Sequence, residues 1–409
     1  MYNNDKEIEK IILFAVDLDN GEDVNANLDE LEELVKTAGG IVVGRLIQNK
    51  EAIDKGTYLG SGKLTELSEL VLELDATGVC SDDELSPVQY KNIEAATDAK
   101  VMDRTLVILD IFAKRATTKE GKIQVELAQL KYRSSRLIGM HNALSRLGGG
   151  IGTRGPGEKK LEIDRRVIRD RISTLQAELK NVVMHRETMR KQRMQAHIPI
   201  VSIVGYTNAG KSTLLNKLTD AGVLEEDKLF ATLDPTSRNY KLNDGQEIIL
   251  TDTVGFIKKL PHHLIKAFCS TLEEAKYADI ILHVVDVSNP NADNHILTVY
   301  ETLESLGVND KPILTLFNKI DKVTEMPIIK DFKADKVINI AAKKCIGFDE
   351  ISDSLSYIIN NMRVYIEKLI SYNDAGKINL IRKNGTLIEE DYREDGIFVR
   401  AYVDKSIDI

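Results

Sequence analysis

Three short segments hold residues of the right type and spacing to bind and cleave a nucleotide. In IPIVSIVGYTNAGKSTLLNKL, Gly205, Tyr206, Thr207, Asn208, Ala209, Gly210, Lys211 and Ser212 form a G-x-x-x-x-G-K-S loop, with Thr213 following, between an apolar run and an amphipathic one. A glycine-bounded loop at a helix start turns backbone N–H groups toward phosphates, and the helix dipole favours the anion there. Lys211 supplies a point charge to the β- and γ-phosphates, and the Ser212 hydroxyl can ligate Mg²⁺. In IILTDTVGF the apolar run ends at Asp252, which can hold Mg²⁺ through water. Thr253 and Val254 then lead to Gly255, whose N–H can meet the γ-phosphate. Between these segments lies LFATLDPTSR, where Phe230, Ala231, Thr232, Leu233 and Asp234 make a candidate switch loop. Thr232 is the expected Mg²⁺ ligand of the triphosphate state, with Thr236 the second choice.

The third segment selects the base. PILTLFNKID brings Asn318, Lys319, Ile320 and Asp321 to the end of a strand, where open α/β sheets take ligands. The Asp321 carboxylate can accept from guanine N1–H and the 2-amino group. Adenine lacks both donors, and an acid left unpaired costs a few kcal/mol. Lys319 can lay its stem over the base, and VINIAAKKCIG sets Ala341, Ala342 and Lys343 at the base edge. GTP is therefore expected rather than ATP. The chemistry is in-line attack of water on the γ-phosphate, with charge neutralised by Lys211, Mg²⁺ and, where one is bound, a monovalent cation.

Two details bear on rate. Phe256 follows Gly255 where many GTPases carry a glutamine, and an apolar side chain cannot orient water. Slow turnover alone, with a partner completing the site, is expected. Asn208 either ligates K⁺ beside the phosphates or only shapes the loop; equal turnover in potassium and sodium would remove the first reading.

The elements that must position these groups alternate. Residues 1–115 run ILFAVDL (strand), LDELEELVKTA (helix), GGIVVGRLIQ (strand), KLTELSELVLEL (helix), GVCSDD (strand), SPVQYKNIEAAT (helix) and VMD, a pattern that predicts a parallel sheet flanked by helices. Residues 116–197 predict two basic helices joined by the glycine-rich GGGIGTRGPGE, an antiparallel hairpin. In the second helix Ile168, Ile172, Leu175, Leu179, Val182 and Met189 fall near heptad spacing. Residues 198–362 form the nucleotide-binding α/β domain. Residues 363–409, with strand-like VYIEKLIS and GIFVRAYV and a turn at Asn384-Gly385, form a small α+β domain.

Composition limits the rest. A chain of 409 residues exceeds what one core organises, so several domains are needed. Cys80, Cys269 and Cys345 lie far apart without C-x-x-C spacing, which argues against a disulfide framework or a zinc site. No apolar run reaches the length of a membrane span, and the acidic, polar N-terminus carries no signal-peptide pattern. A cytoplasmic location, in part at a membrane, and a monomeric state are the expectations. The net charge of −9 hides an asymmetry: residues 111–193 hold 20 Lys and Arg against 8 Asp and Glu, so this stretch is +12 and the remainder −21. A basic middle in an acidic chain points to one surface that meets a polyanion.

The chain resembles the HflX family of ribosome-associated GTPases, in the Obg-like branch of the P-loop GTPases. The likeness covers nearly the whole length. Its carriers are YLGSGK, DDELSP, DRTLVILDIFAKRATTKEGKIQVELAQL, GGGIGTRGPGE and IDRR, and, within the nucleotide domain, LFATLDPTSR and DTVGFIKKLPHHLIKAFCSTLEE. The resemblance implies a GTP hydrolase that binds the large ribosomal subunit and separates stalled ribosomes. It also implies that the hairpin and its loop enter that subunit toward the peptidyl-transferase region. Arg154, Arg165, Arg166, Arg169 and Arg171 are then the candidate rRNA contacts. Two other classes of activity remain: a GTP-dependent assembly or anti-association factor, and an ATP-driven RNA-remodelling protein using YLGSGK, which holds no complete phosphate loop. The sequence departs from the family at Ala341, where serine is usual, and EKKLEIDRR is unusually basic. His262-His263 match the family block, but no further ligands cluster with them for a metal.

Overall fold

The computed structural model describes residues 8–147, 156–194, 198–219, 229–230, 236–259, 274–374 and 376–403. They fall into two compact units. The first takes the residues up to Val182 together with Leu229, Phe230 and Lys259, and the second takes the remainder.

The first unit opens with β1 (Lys10–Asp17), α1 (Val24–Ala38), β2 (Ile41–Asn49), α2 (Ser61–Glu73), β3 (Gly78–Ser81), α3 (Pro87–Thr97), β4 (Lys100–Asp103) and α4 (Arg104–Arg115). The four strands are parallel, in the order β2-β1-β3-β4. The run IILFAV of β1 is buried throughout, which marks a sheet covered on both faces. On one face Ile12, Phe14 and Val16 pack with Leu67 and Val71 of α2 and Ile93 of α3. α1 lies against α4 and β1.

Caps explain much of the local sequence. Asp23 accepts from Ala26 N at the start of α1, and Gly39 closes that helix with φ 98°. In DDELSP, Ser86 and Gln89 form a reciprocal capping box and Pro87 takes the first helical position. Asp103 caps α4 by accepting from Leu106 N.

α5 (Lys119–Leu147) and α6 (Pro156–Met194) follow. Ile123 and Leu127 of α5 pack with Leu175 of α6, joined by Leu130, Leu179 and Val182, so three of the heptad positions lie at the seam. Met189 and Arg154 lie outside the residues whose side chains are described.

The second unit holds a six-stranded sheet in the order β10-β9-β8-β5-β7-β6. Its elements are β5 (Ile200–Gly205), α7 (Lys211–Thr219), β6 (Thr236–Lys241), β7 (Glu247–Asp252), β8 (Ile280–Asp286), α8 (Ala292–Ser305), β9 (Ile313–Asn318), β10 (Lys336–Asn339) and α9 (Phe348–Met362). All pairs are parallel except β6 with β7. The antiparallel edge strand β6 begins at Thr236, where the sequence suggests only a switch loop.

A second, three-stranded antiparallel sheet, β11-β13-β12, comes from β11 (Val364–Ile370), β12 (Thr386–Arg393) and β13 (Gly396–Val403), with α10 (Gly376–Asn384) between β11 and β12 in sequence. Ile378 and Ile381 of the helix cover Ile397, Val399, Ala401 and Val403 of the sheet. Asn384-Gly385 is the junction between helix and strand, and the helix itself has no strong apolar periodicity to announce it.

Candidate nucleotide site

The buried strand β5 delivers the phosphate loop, and α7 starts at its lysine. Asn208 (φ 59°) and Gly210 (φ 99°) bend the loop through the left-handed region. At Gly210 space agrees with conformation: a Cβ there would stand 2.3 Å from Asn318 Nδ2, so only glycine serves. Lys211 is buried and its Nζ donates to the Tyr206 carbonyl at 2.7 Å. Burial pushes the Lys211 ammonium down to about 8; Asp252 opposes that shift and Lys319 adds to it. Among the described residues the buried Thr207 hydroxyl has no hydrogen-bond partner, an orphan inside this loop.

Ser212 and Asp252 converge. The Ser212 hydroxyl donates to Asp252 Oδ2 at 2.8 Å, which joins the loop to the end of β7. Asp252 is fully buried. Beyond it Thr253 donates to the Ile203 carbonyl (2.7 Å), so the chain runs close along β5. Thr207 N donates to Phe256 O at 2.8 Å, Phe256 N to Gly205 O at 3.1 Å, and Lys258 N to the Tyr206 hydroxyl at 2.9 Å. This approach leaves no room for a side chain at Gly255, where a Cβ would sit 2.8 Å from Thr207 Cα and 3.0 Å from Lys211 Nζ.

Phe256, 2% exposed, turns into the apolar cluster of Val204, Val285, Ile296 and Tyr300. It is a core residue.

The end of β9 is equally well tied. Asn318 Nδ2 donates to the Ala209 carbonyl at 2.8 Å, and Ala342 N donates to Asn318 Oδ1 at 3.0 Å. One amide thus joins the loop of Gly205 to Ser212 to the turn at Ala342. Lys319 (φ 67°) donates to the Asn208 carbonyl at 2.8 Å and pairs with Asp286 at 2.6 Å. Ile320 and Asp321 lie in a single 3₁₀ turn, where Asp321 stands 3.4 Å from Lys344. Ala341 is buried at the start of a second such turn, which holds Ala342 and the exposed Lys343.

The geometry therefore brings together Gly205 to Thr213, Asp252 to Gly255, Asn318 to Asp321 and Ala341 to Lys343. Phe230 is buried against Phe112, with ring centroids 4.6 Å apart, and belongs to the first unit. Ala231, Thr232, Leu233 and Asp234 lie outside the described residues, as do Cys269 and His262-His263. The sequence reading missed Asp286 and the Tyr206 hydroxyl. Asp286 carried a usable signal, since it ends an apolar strand as Asn318 does. The Tyr206–Lys258 bond had none.

Three family profiles match the chain: the "GTP-binding GTPase N-terminal" over residues 25–113, the "GTP-binding GTPase Middle Region" over 115–193, and the "50S ribosome-binding GTPase" over 200–319. The GTPase HflX of Lacrimispora saccharolytica is 63% identical over 399 residues, spanning 97% of this chain and 94% of that protein. The chain belongs to the HflX family. The HflX of Caldanaerobacter subterraneus is 50% identical over 97% of this chain and 92% of its own length. That of Escherichia coli is 46% identical over 73% and 70%. As an HflX-family protein the chain is a P-loop GTPase, a GTP hydrolase.

The middle region of this HflX-family chain keeps some of its cations for itself. Arg171 donates to both carboxylate oxygens of Glu126, at 2.7 and 2.9 Å. Arg136 pairs with Asp103 at 2.6 Å and lies over the rings of Tyr90 and Tyr132. Arg166 and Arg169 are exposed and Arg165 half-buried. Among the described residues no helix is long and apolar enough to cross a membrane.

Proposed function

We propose that this GTPase binds the large ribosomal subunit through its basic middle region and uses GTP hydrolysis to split or rescue stalled ribosomes. The observation that carries the reading is the +12 charge of residues 111–193 in a chain of net charge −9. A ribosomal surface is a phosphate surface, and cations facing it release counterions. Arg165, Arg166 and Arg169 are the contacts of choice, with Arg154 in the glycine-rich loop. Arg171 serves only if it leaves Glu126.

The functional parts follow residues 1–115, 116–197, 198–362 and 363–409, and the protein acts as a monomer in the cytoplasm, in part at a membrane. In the nucleotide domain Lys211 neutralises the β- and γ-phosphates. The Gly255 N–H meets the γ-phosphate, and Thr207 to Thr213 wrap the phosphates with backbone donors. Asp321 reads the guanine, Lys319 covers it, and Ala341 to Lys343 close its edge. The convergence of Ser212 on Asp252 suits Mg²⁺, with Thr232 the further ligand; the ion would supply charge neutralisation at the phosphates. The exposed Asn208 side chain would take K⁺, and turnover in potassium above that in sodium would support this.

Co-sedimentation with large subunits tests the ribosomal reading. Binding should be stronger with a non-hydrolysable GTP analogue than with GDP. It should fall steeply from 50 to 200 mM salt, and Arg166→Ala or Arg169→Ala should each lower the slope of log K against log salt by about 1. Nucleotide-independent, salt-insensitive binding would contradict it.

A further inference from the structure

The four-stranded sheet of the first unit leaves a hollow at its N-terminal edge, between α1 and α4. Residues level with one another in neighbouring strands turn to the same face, and here Ile11 of β1 is level with Gly78 of β3, and Gly78 with Lys100 of β4. Gly78 adds no side chain to that face. A Cβ there would stand 2.8 Å from the Lys100 carbonyl oxygen and 3.1 Å from Ile11 Cδ1, so glycine is required. α1 stops at Gly39, and the chain leaves for β2. What remains is a cavity of about 570 Å³, a size usual for small-molecule sites. Ile11, Val35, Met102 and Val107, all buried, form its apolar floor.

Four charged side chains stand around that floor. Lys100 and Glu9 pair at 2.6 Å and so satisfy each other. Asp110 and Lys114 do not pair, although they lie one turn apart on α4, the spacing at which such pairs form. Lys114 Nζ donates instead to the neutral carbonyl of Ala38, at the end of α1. Asp110 is half-buried, and among the described residues it accepts no hydrogen bond and forms no ion pair. Burial pushes its carboxyl up, while Lys100 and Lys114 act to lower it.

An acid without a partner and a cation met only by a carbonyl, one helical turn apart beside an apolar floor, define a complement. A ligand carrying only an ammonium would pair with Asp110 but meet Lys100 and Lys114 as like charges. A ligand carrying only a carboxylate would pair with Lys114 but face Asp110. A zwitterion satisfies both groups, and the floor asks for an apolar body on the same molecule. Lys114 need not leave Ala38 to take part, because an ammonium has three donors.

We propose that this cavity binds a free α-amino acid with a large apolar side chain, its ammonium on Asp110, its carboxylate on Lys114 and its side chain over Val35, Met102 and Val107. The site lies wholly within the first unit. It needs neither the nucleotide nor the ribosome, so it stands or falls apart from the function proposed above.

Equilibrium dialysis of the full chain with radiolabelled L-leucine and L-phenylalanine tests this. The wild type should bind at least one of them saturably, one molecule per chain, with a Kd of about 1 mM or below. Isoamylamine, which lacks the carboxylate of leucine, and isocaproate, which lacks its ammonium, should each compete at least about tenfold more weakly. Asp110→Asn keeps the shape and removes the charge, and should weaken binding of the amino acid by about tenfold or more while leaving isocaproate no weaker. The ligand series on the wild type needs no variant, so the site is tested even where a substitution disturbs α4. Absence of saturable binding up to about 10 mM, a Kd well above the millimolar range, overturns the site. So does an amine or acid that competes as well as the amino acid, or binding undiminished in Asp110→Asn.

Discussion

The side-chain amide of Asn318 donates to the carbonyl of Ala209 across 2.8 Å, so the end of β9 is tied to the loop of Gly205 to Ser212. Its oxygen accepts from Ala342 N in the same pocket. Asn318→Ala removes both bonds and strands two buried backbone groups, at about 1–3 kcal/mol each. Affinity for GTP and GDP should fall together by about 10-fold or more, read by fluorescent-nucleotide titration. Unchanged affinity for both would contradict the bridging role.

Specificity should follow the carboxylate of Asp321. Asp321→Asn offers one acceptor and one donor where guanine needs two acceptors, while xanthine, with oxygen in place of the 2-amino group, matches the new pair. We expect the variant to lose at least about tenfold in GTP affinity (1.4 kcal/mol or more) and to prefer xanthosine triphosphate in competition binding. Continued preference for GTP would place base reading elsewhere.

Lys211 makes binding pH-dependent. Its ammonium, pushed down to about 8 by burial, is half neutral at pH 8 in the free protein. Bound phosphates favour the charged form and raise its pKa. Binding at pH 8 should therefore take up about half a proton, and affinity should hold below pH 8 and weaken above it. Calorimetry in buffers of different ionisation enthalpy measures the uptake directly; zero uptake at pH 8 would contradict the burial of this lysine.

Phe256→Gln should not make a faster enzyme. The side chain at this position points into the cluster of Val204, Val285 and Ile296, so the new amide would be buried without designed partners. The expected result is no gain in intrinsic turnover and a stability loss of about 2–4 kcal/mol, seen as a lower Tm. A gain in kcat would show that position 256 can swing toward the phosphate.

Much of this architecture was legible because its signals are local. The continuous apolar run of β1, the capping sequence Ser86-Pro87 and the glycines of the phosphate loop each answer to backbone physics within a few residues. The convergence of the segments at Gly205, Asp252 and Asn318 could be read in the same way, since strand ends and glycine turns place them together in any open α/β sheet. What could not be read depends on long-range partners. Nothing around Arg104 announces that its guanidinium is buried between Asp82 and Glu30, and DRT and DDELSP look like motifs until their caps are seen. Arg171 looks like a free cation until Glu126, 45 residues earlier, is found beside it. The helix α10 and the edge strand β6 were hidden for a related reason: short polar elements take their conformation from the sheet they cover or extend.

The most direct test is GTP turnover by the wild type and by Lys211→Ala, each alone and with purified large ribosomal subunits. The account predicts slow turnover by the wild type alone, a rise of orders of magnitude with subunits (about 10³–10⁵, the range that a completing partner supplies in other GTPases), and no response from Lys211→Ala. Wild-type turnover indifferent to the subunits would contradict it.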